Sequence, residues 1–358
     1  MHCIINHKEE LLSCLERINS ARLNHAFVLV AEASKKDFES IFLKLINQHK
    51  INIYGGVFPS LIFNSKIENK GVIIWATNSV IKAKKLSLAS DEEQMHNEIR
   101  SFKLESAQST PKTLLTFISA FGSHKAAFLK SVYNQFGNTM NYFGAGCGSV
   151  TDKNDKEIIT NKGLFSNSAL VIELADYLNL NYAHGWDAFP EVHKVTEYEG
   201  NEIVSINWEP AFNVYKKIIE QEAKLNIDAK NFVDISKRFP FGILRLDGYL
   251  IIRDPYGITP RNGILTLDKI EEGEFIKIMC GDSKSLINAA KKLNANTNQT
   301  VLCFNCISRK LFHEENINKE LQQIQNQNLI GAFSVGEIVN HGDVYLEMFN
   351  KIVATATW

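Results

Sequence analysis

Long apolar runs, cysteine and net charge are all scarce in this chain of 358 residues. No window holds the ~18 or more consecutive apolar residues that a membrane-spanning helix requires. The start, Met1-His2-Cys3-Ile4-Ile5-Asn6-His7-Lys8, lacks the basic-then-apolar layout of a signal peptide. Membrane insertion is therefore not expected, and the chain is placed in the cytoplasm. The six cysteines, Cys3, Cys14, Cys147, Cys280, Cys303 and Cys306, are too sparse for a disulfide scaffold at this length, so reduced thiols are expected. Lys and Arg total 39 against 40 Asp and Glu, a formal net charge of −1. Neutralising the phosphates of a nucleic acid needs a cationic surplus, and none is present. Enzyme signatures are missing too: there is no phosphate-binding Gly-Lys-Ser/Thr loop, no Gly-x-Ser-x-Gly elbow and no His-Glu-x-x-His.

What is present is apolar material for a sizeable core, with 45% hydrophobic and 22% charged residues. A length of 358 residues suggests two domains. Short apolar runs alternate with amphipathic stretches, and one order of elements returns three times. Strand His25 to Ala31 is followed by a helix through Phe38, Phe42 and Ile46, then Tyr54-Gly55-Gly56-Val57 and strand Val72 to Trp75. Strand Leu114 to Ala120 is followed by helix Lys125 to Phe136, then Gly144-Ala145-Gly146-Cys147-Gly148 and strand Ala169 to Leu174. Strand Val301 to Ile307 is followed by helix Glu314 to Gln327, then Gly331 through Gly336 and strand Ile352 to Thr357. The pattern is a β-α-β-β unit with glycine inside its second strand, where the missing Cβ lets a backbone or a ligand come close. Between the second and third units, Val192 to Tyr198 and Glu202 to Trp208 read as a hairpin. Pro210 then opens a helix, which marks the domain boundary.

The run Gly144-Ala145-Gly146-Cys147-Gly148 leads into a polar turn rather than a helix, which disfavours a dinucleotide site and favours a backbone-lined wall for a ligand. Cys303-x-x-Cys306 points its thiols to opposite faces if it lies on a regular strand, and no second pair stands at a useful spacing for zinc, so buried structural cysteines are favoured. His184 sits beside Gly185 and Trp186, and His193 lies nearby on the hairpin. Either a packed structural histidine or a metal ligand fits His184. Glu337, with Arg309 and Arg253 as cationic partners, fits a charged pair in a ligand site or a surface salt bridge.

The stretch Cys306-x-x-Arg309, then Ile330 through Ile338, with Asn350 opening the last strand, resembles the FIST C domain. Phe143 through Ser149, Gly163-Leu164-Phe165, His184-Gly185-Trp186, Val195-Thr196 and Pro210-Ala211 are similar to the FIST N domain and its junction, and Arg253-Asp254-Pro255 matches the pattern between. Ala145 and Cys147 interrupt the family's run of adjacent glycines. The resemblance implies an α+β protein of two domains, mixed β-sheets flanked by helices, with a FIST N-like part over 1–209 and a FIST C-like part over 210–358. It also implies a sensory, ligand-binding protein of signal transduction rather than an enzyme. The bacterial NosP group of this family binds haem, senses nitric oxide and acts on a histidine kinase. Other members are supposed to bind small ligands such as amino acids. For haem, His184 is the first axial-ligand candidate, before His193 and His341, with Trp186 in the pocket wall. For a polar metabolite, Gly144, Gly146, Gly148, Gly331 and Gly336 would line the strand ends, and Arg253, Arg309 and Glu337 would supply charge. A homodimer stays open.

Overall fold

The structure is a computed structural model describing residues 1–89, 91–104, 112–152, 155–245, 250–293, 298–324, 328–342 and 345–358. Strand His25–Ala31 is buried at six of its seven positions, which is why its sequence is a continuous apolar run rather than an alternation. It pairs in parallel with Asn52–Phe58 and antiparallel with Val72–Thr77. The helical stretch between the parallel strands packs Phe38, Phe42 and Ile46 onto Ala26, Val28 and Val30. The plan recurs twice. Lys112–Ser119 runs parallel to Met140–Cys147 and antiparallel to Ser168–Leu174, with helix Lys125–Phe136 between the parallel pair. Val301–Cys306 runs parallel to Leu329–Ser334 and antiparallel to Val353–Thr357, with helices Ile307–His313 and Ile317–Gln323 between. We number these units 1, 2 and 3. The helix expected over Glu314 to Gln327 is shorter, and its end at 325–327 lies outside the described residues.

Each unit also begins earlier than its sequence pattern shows. An edge strand pairs with the unit's last strand and leads into a helix before the first. In unit 1 these are His2–Ile5 and Lys8–Ser20; in unit 2, Val80–Ser87 and Glu92–Ser101. In unit 3 they are Asn179–Ala183 and Ser283–Lys291. About a hundred residues are thus inserted between the edge strand and the helix of unit 3, and they form a nine-stranded sheet of their own. Position 210 falls inside this insert, where Glu202–Ile206 pairs with Glu209–Pro210 and with Ile264–Thr266.

The units are locked in a ring, because each sends the strand after its second strand to a neighbour. Ser60–Phe63 of unit 1 pairs with Leu329–Ser334 of unit 3. Glu337–Asn340 of unit 3 pairs with Met140–Cys147 of unit 2, and Ile158–Thr160 of unit 2 pairs with Asn52–Phe58 of unit 1. Phe58, Phe117, Phe143 and Phe304 meet inside the ring at centroid distances of 5.3 to 6.3 Å. Each fully buried phenylalanine contributes about 2–3 kcal/mol, so the centre is a strong anchor.

Glycine is required at one register position of each unit. Gly55, Gly144 and Gly331 lie opposite Val28, Thr116 and Cys303 on the parallel partner. A Cβ there would sit 1.8, 2.0 and 1.8 Å from that partner's carbonyl oxygen.

The expectation for Cys3 and Cys14 is corrected: a disulfide joins them across strand His2–Ile5 and helix Lys8–Ser20. Cysteine count argues against a scaffold, but one strand folding back on the next helix brings this pair together locally. Cys147, Cys280, Cys303 and Cys306 are free thiols. Among the described residues no helix is long and apolar enough to cross a membrane.

Candidate functional site

The segment 345–351 joins the swapped strand of unit 3 to its last strand and ties the ring to the inserted sheet. Four of its residues, Glu347, Met348, Asn350 and Lys351, make the connection, while Phe349 holds the segment to the ring. Arg245 reaches Glu347 at 2.6 Å, and the Arg253 guanidinium donates to the Met348 carbonyl at 2.8 Å. Phe349 exchanges backbone hydrogen bonds with Glu337, and Asn350 donates to Asp268 at 2.9 Å. Lys351 Nζ reaches Asp254 at 3.1 Å and the Lys237 carbonyl at 2.9 Å. Lys125 of unit 2 also contacts Asp268, at 2.5 Å. Burial alone would raise the Asp268 carboxyl, but Lys125, Arg253 and Asn350 outweigh it and hold the group below the usual carboxylate range.

Glu337 lies at the centre of this seam and is fully buried. Its Oε1 accepts from the Ser334 hydroxyl at 2.7 Å, and the Cys306 thiol and the Ile352 backbone lie against the carboxyl, whereas among the described residues no hydrogen bond of ordinary geometry reaches Oε2. Burial pushes this carboxyl well above its ordinary value, against the opposing pull of Ser334, Cys306 and Arg309. The neighbouring Cys306 thiol is raised as well, first by burial and then by Glu337. Asn350 Oδ1 is a second buried acceptor left without a partner. An unpaired buried acceptor costs about 1–3 kcal/mol, so two of them in one seam require a reason.

A separate buried ion cluster lies under Trp186. Arg309 and Glu320 are both fully buried and paired at 2.8 Å and 3.0 Å, and His313 Nε2 lies 2.7 Å from the same carboxylate. Burial would raise Glu320, but Arg309 and His313 dominate and hold it at about 2. Arg309 also donates to the carbonyls of His184, Lys351 and Leu286. Both Arg309 and Lys351 stack their charge over the Trp186 ring, at 5.4 and 5.0 Å. Lys351 therefore links the two clusters.

The structure brings Gly146, Gly336, Glu337 and Arg253 to the seam, and His184, Trp186 and Arg309 to the ion cluster. Arg309 is paired with Glu320 rather than with Glu337, and Arg253 is spent on backbone carbonyls of Met348, Ile252 and Lys269. Gly144 and Gly331 face neighbouring carbonyls, and Gly146 faces the Val335 carbonyl, so protein fills the space over them. Gly148 donates to the Val57 carbonyl between units 1 and 2. His193 stands apart on the hairpin, and His341 is exposed past the swapped strand.

The imidazoles do not suit a haem-iron ligand as they stand. His184 Nδ1 accepts from the Trp186 backbone N–H at 3.0 Å, so the neutral ring carries its proton on Nε2. Burial first, then the Arg309 charge, lowers this ring to about 4, which keeps it neutral. His193 is alike: the Asn207 amide, oriented by the Lys194 N–H it accepts, donates to Nδ1 at 3.1 Å. An iron ligand presents an unprotonated nitrogen and donates from the other one, the reverse of both arrangements. Among the described residues no cluster of three or more His, Cys, Asp or Glu could hold a metal ion. An open recess of about 450 Å³ beside helix Glu92–Ser101 is lined by Asp91, Glu93 and other polar side chains and touches none of these groups.

Sequence reasoning did not single out Lys351, Glu320 or Asp268, and named Asn350 only as part of the family pattern.

The FIST N domain model matches residues 24–209 and the FIST C domain model matches residues 211–340. An uncharacterized protein of Methanocaldococcus jannaschii is 25% identical over 197 residues, a match covering 45% of this chain and 37% of that protein's length.

Proposed function

The chain belongs to the FIST family, and from that premise we propose that it senses a small polar ligand of the amino-acid class in the seam around Glu337 and Asn350. FIST domains are sensory and ligand-binding rather than catalytic, and they mark a small-ligand sensor of signal transduction. The observation that carries the choice of ligand is the pair of buried oxygens, Glu337 Oε2 and Asn350 Oδ1, that no hydrogen bond of ordinary geometry reaches among the described residues. An amino acid's ammonium group brings three donors, and its arrival would favour the ionised form of Glu337. Because segment 345–351 is held from both sides, a ligand that satisfies Glu337 and Asn350 alters the grip of the ring on the inserted sheet. That difference between two arrangements is what a partner protein reads, as a population shift. A histidine kinase is the partner class proposed.

Haem with nitric oxide as the signal is the second form of the sensor. It rests on the family resemblance, and the Nε2–H tautomer of His184 weighs against it. Thermal-shift screening of amino acids against the protein as isolated, beside its absorption spectrum, separates the two. A melting rise with an amino acid that Glu337→Gln removes supports the polar ligand. No response to any amino acid, with a Soret band that moves on adding nitric oxide and is altered in His184→Ala, replaces it with haem.

A further inference from the structure

The ring of units supplies a second location of interest, between units 1 and 2. At the start of each swapped strand stands one residue at an equivalent register position: Ser60 opposite Phe333, Gly336 opposite Gly146, and Glu157 opposite Val57. Lys310 and Lys35 also correspond, each seven residues past the residue that faces the required glycine, Cys303 or Val28. At the junction of units 3 and 1, Lys310 Nζ contacts the Ser60 hydroxyl at 2.9 Å, so a cation satisfies that position. At the junction of units 1 and 2, the corresponding Lys35 pairs with Asp155 instead. Glu157 is left 6% exposed, and among the described residues its Oε2 has no partner. Nearby, Glu32 already holds the hydroxyls of Ser149 and Thr151, each at 2.5 Å.

We propose that Glu157 anchors a second small-ligand site, which takes a ligand whose ammonium or guanidinium group stands where the lysine stands at the equivalent junction. The site lies past the carboxyl ends of parallel strands from two sheets, a usual place for ligands in sheets of this kind. The Lys35–Asp155 pair stands beside it, with side chains 13% and 35% exposed. The groups facing Glu157 are Lys35, Asp155, the Ser119 hydroxyl and the buried Cys147 thiol. Burial, helped by Asp155 and opposed by Ser119 and Lys35, raises the carboxyl to about 7. A cation therefore binds the carboxylate form, and its affinity rises as pH passes through that value.

The test uses the full chain and three probes, methylammonium, putrescine and guanidinium, each against sodium chloride at equal ionic strength. Melting temperature and calorimetric binding are read at pH 6 and pH 8.5. The expected result is binding of an organic cation that is at least several-fold tighter at pH 8.5, is lost in Glu157→Gln and Glu157→Ser, and is kept in Glu337→Gln. The last variant separates this site from the seam, so either can fail alone. No binding at pH 8.5, equal binding at both pH values, or binding that survives in Glu157→Gln overturns the proposal. The pH comparison on the unaltered protein needs no variant to fold.

Discussion

Lys351 Nζ lies 3.1 Å from Asp254 Oδ1, with the lysine side chain 1% exposed and the aspartate 10%. One partner belongs to the segment that closes unit 3 and the other to the inserted sheet, so the contact joins two bodies that are far apart in sequence. The Lys351 carbonyl accepts from Arg309 at 3.0 Å and its ammonium reaches the Lys237 carbonyl, which leaves the side chain little freedom.

Lys351→Met removes the cation and strands a buried carboxylate. The expected cost is about 3–5 kcal/mol in urea denaturation, the usual penalty for breaking a buried pair from one side. Asp254→Asn added to Lys351→Met should recover a large part of that loss, because the amide can be buried without its counter-charge. Equal stability of the single and double variants would show that the pair is not coupled.

Arg309→Gln tests the second cluster through its pH dependence. Glu320 is held at about 2 in the folded chain against an ordinary 4.5. Its stabilising contribution is therefore present above pH 4.5 and lost as pH falls toward 2. Without the guanidinium the carboxyl rises, so the variant should lose stability at pH 7 and also much of the native protein's steep acid dependence between pH 4.5 and 2. Acid curves of unchanged slope would place the source of that dependence elsewhere.

Glycine spacing was the legible part of the fold. Gly55, Gly144 and Gly331 mark a strand position in each unit because only the absence of a Cβ admits the neighbouring carbonyl, and that leaves a trace in one residue type. The exchange of strands left no such trace. Ser60–Phe63 pairs with Leu329–Ser334 across most of the chain, and apolar runs do not say which partner they choose. Unit 3 was hidden for a related reason, since its edge strand Asn179–Ala183 is separated from its next helix by the whole inserted sheet. In the site, Glu337 and Arg309 were found as charges beside apolar strands. Their partners were not, because Glu320 sits on an amphipathic helix whose polar residues read as solvated, and Lys351 on a short loop. His184 was found from its place beside Trp186, but which ring nitrogen carries the proton depends on a backbone N–H two residues away.

The glycines separate by substitution. Gly144→Ala would place its Cβ 2.0 Å from the Thr116 carbonyl, where the two parallel strands must part, and a loss of about 3 kcal/mol or more is expected. Gly148→Ala meets Ala120 and Phe121 at ordinary contact distances of 3.6 Å and should cost under about 1 kcal/mol. Chemical denaturation of the two variants measures the contrast directly. Similar losses would mean that the close strand approach is not what demands glycine at 144.

Glu157 gives a pH response of the opposite sign to Glu320. Its carboxyl is raised to about 7, so the folded chain holds a proton there that the unfolded chain releases from about 4.5 upward. The contribution is fully present below pH 4.5 and is lost as pH rises through 7, at no more than about 1.4 kcal/mol per pH unit. Glu157→Gln keeps a neutral side chain of the same size at every pH, so its stability should fall less than the native protein's between pH 5 and pH 8. The two carboxylates act in windows that do not overlap, one below 4.5 and the other above it, so a single set of urea midpoints from pH 2 to pH 8 resolves both. A native curve that does not decline relative to Glu157→Gln over the upper window would remove the raised carboxyl from the junction of units 1 and 2.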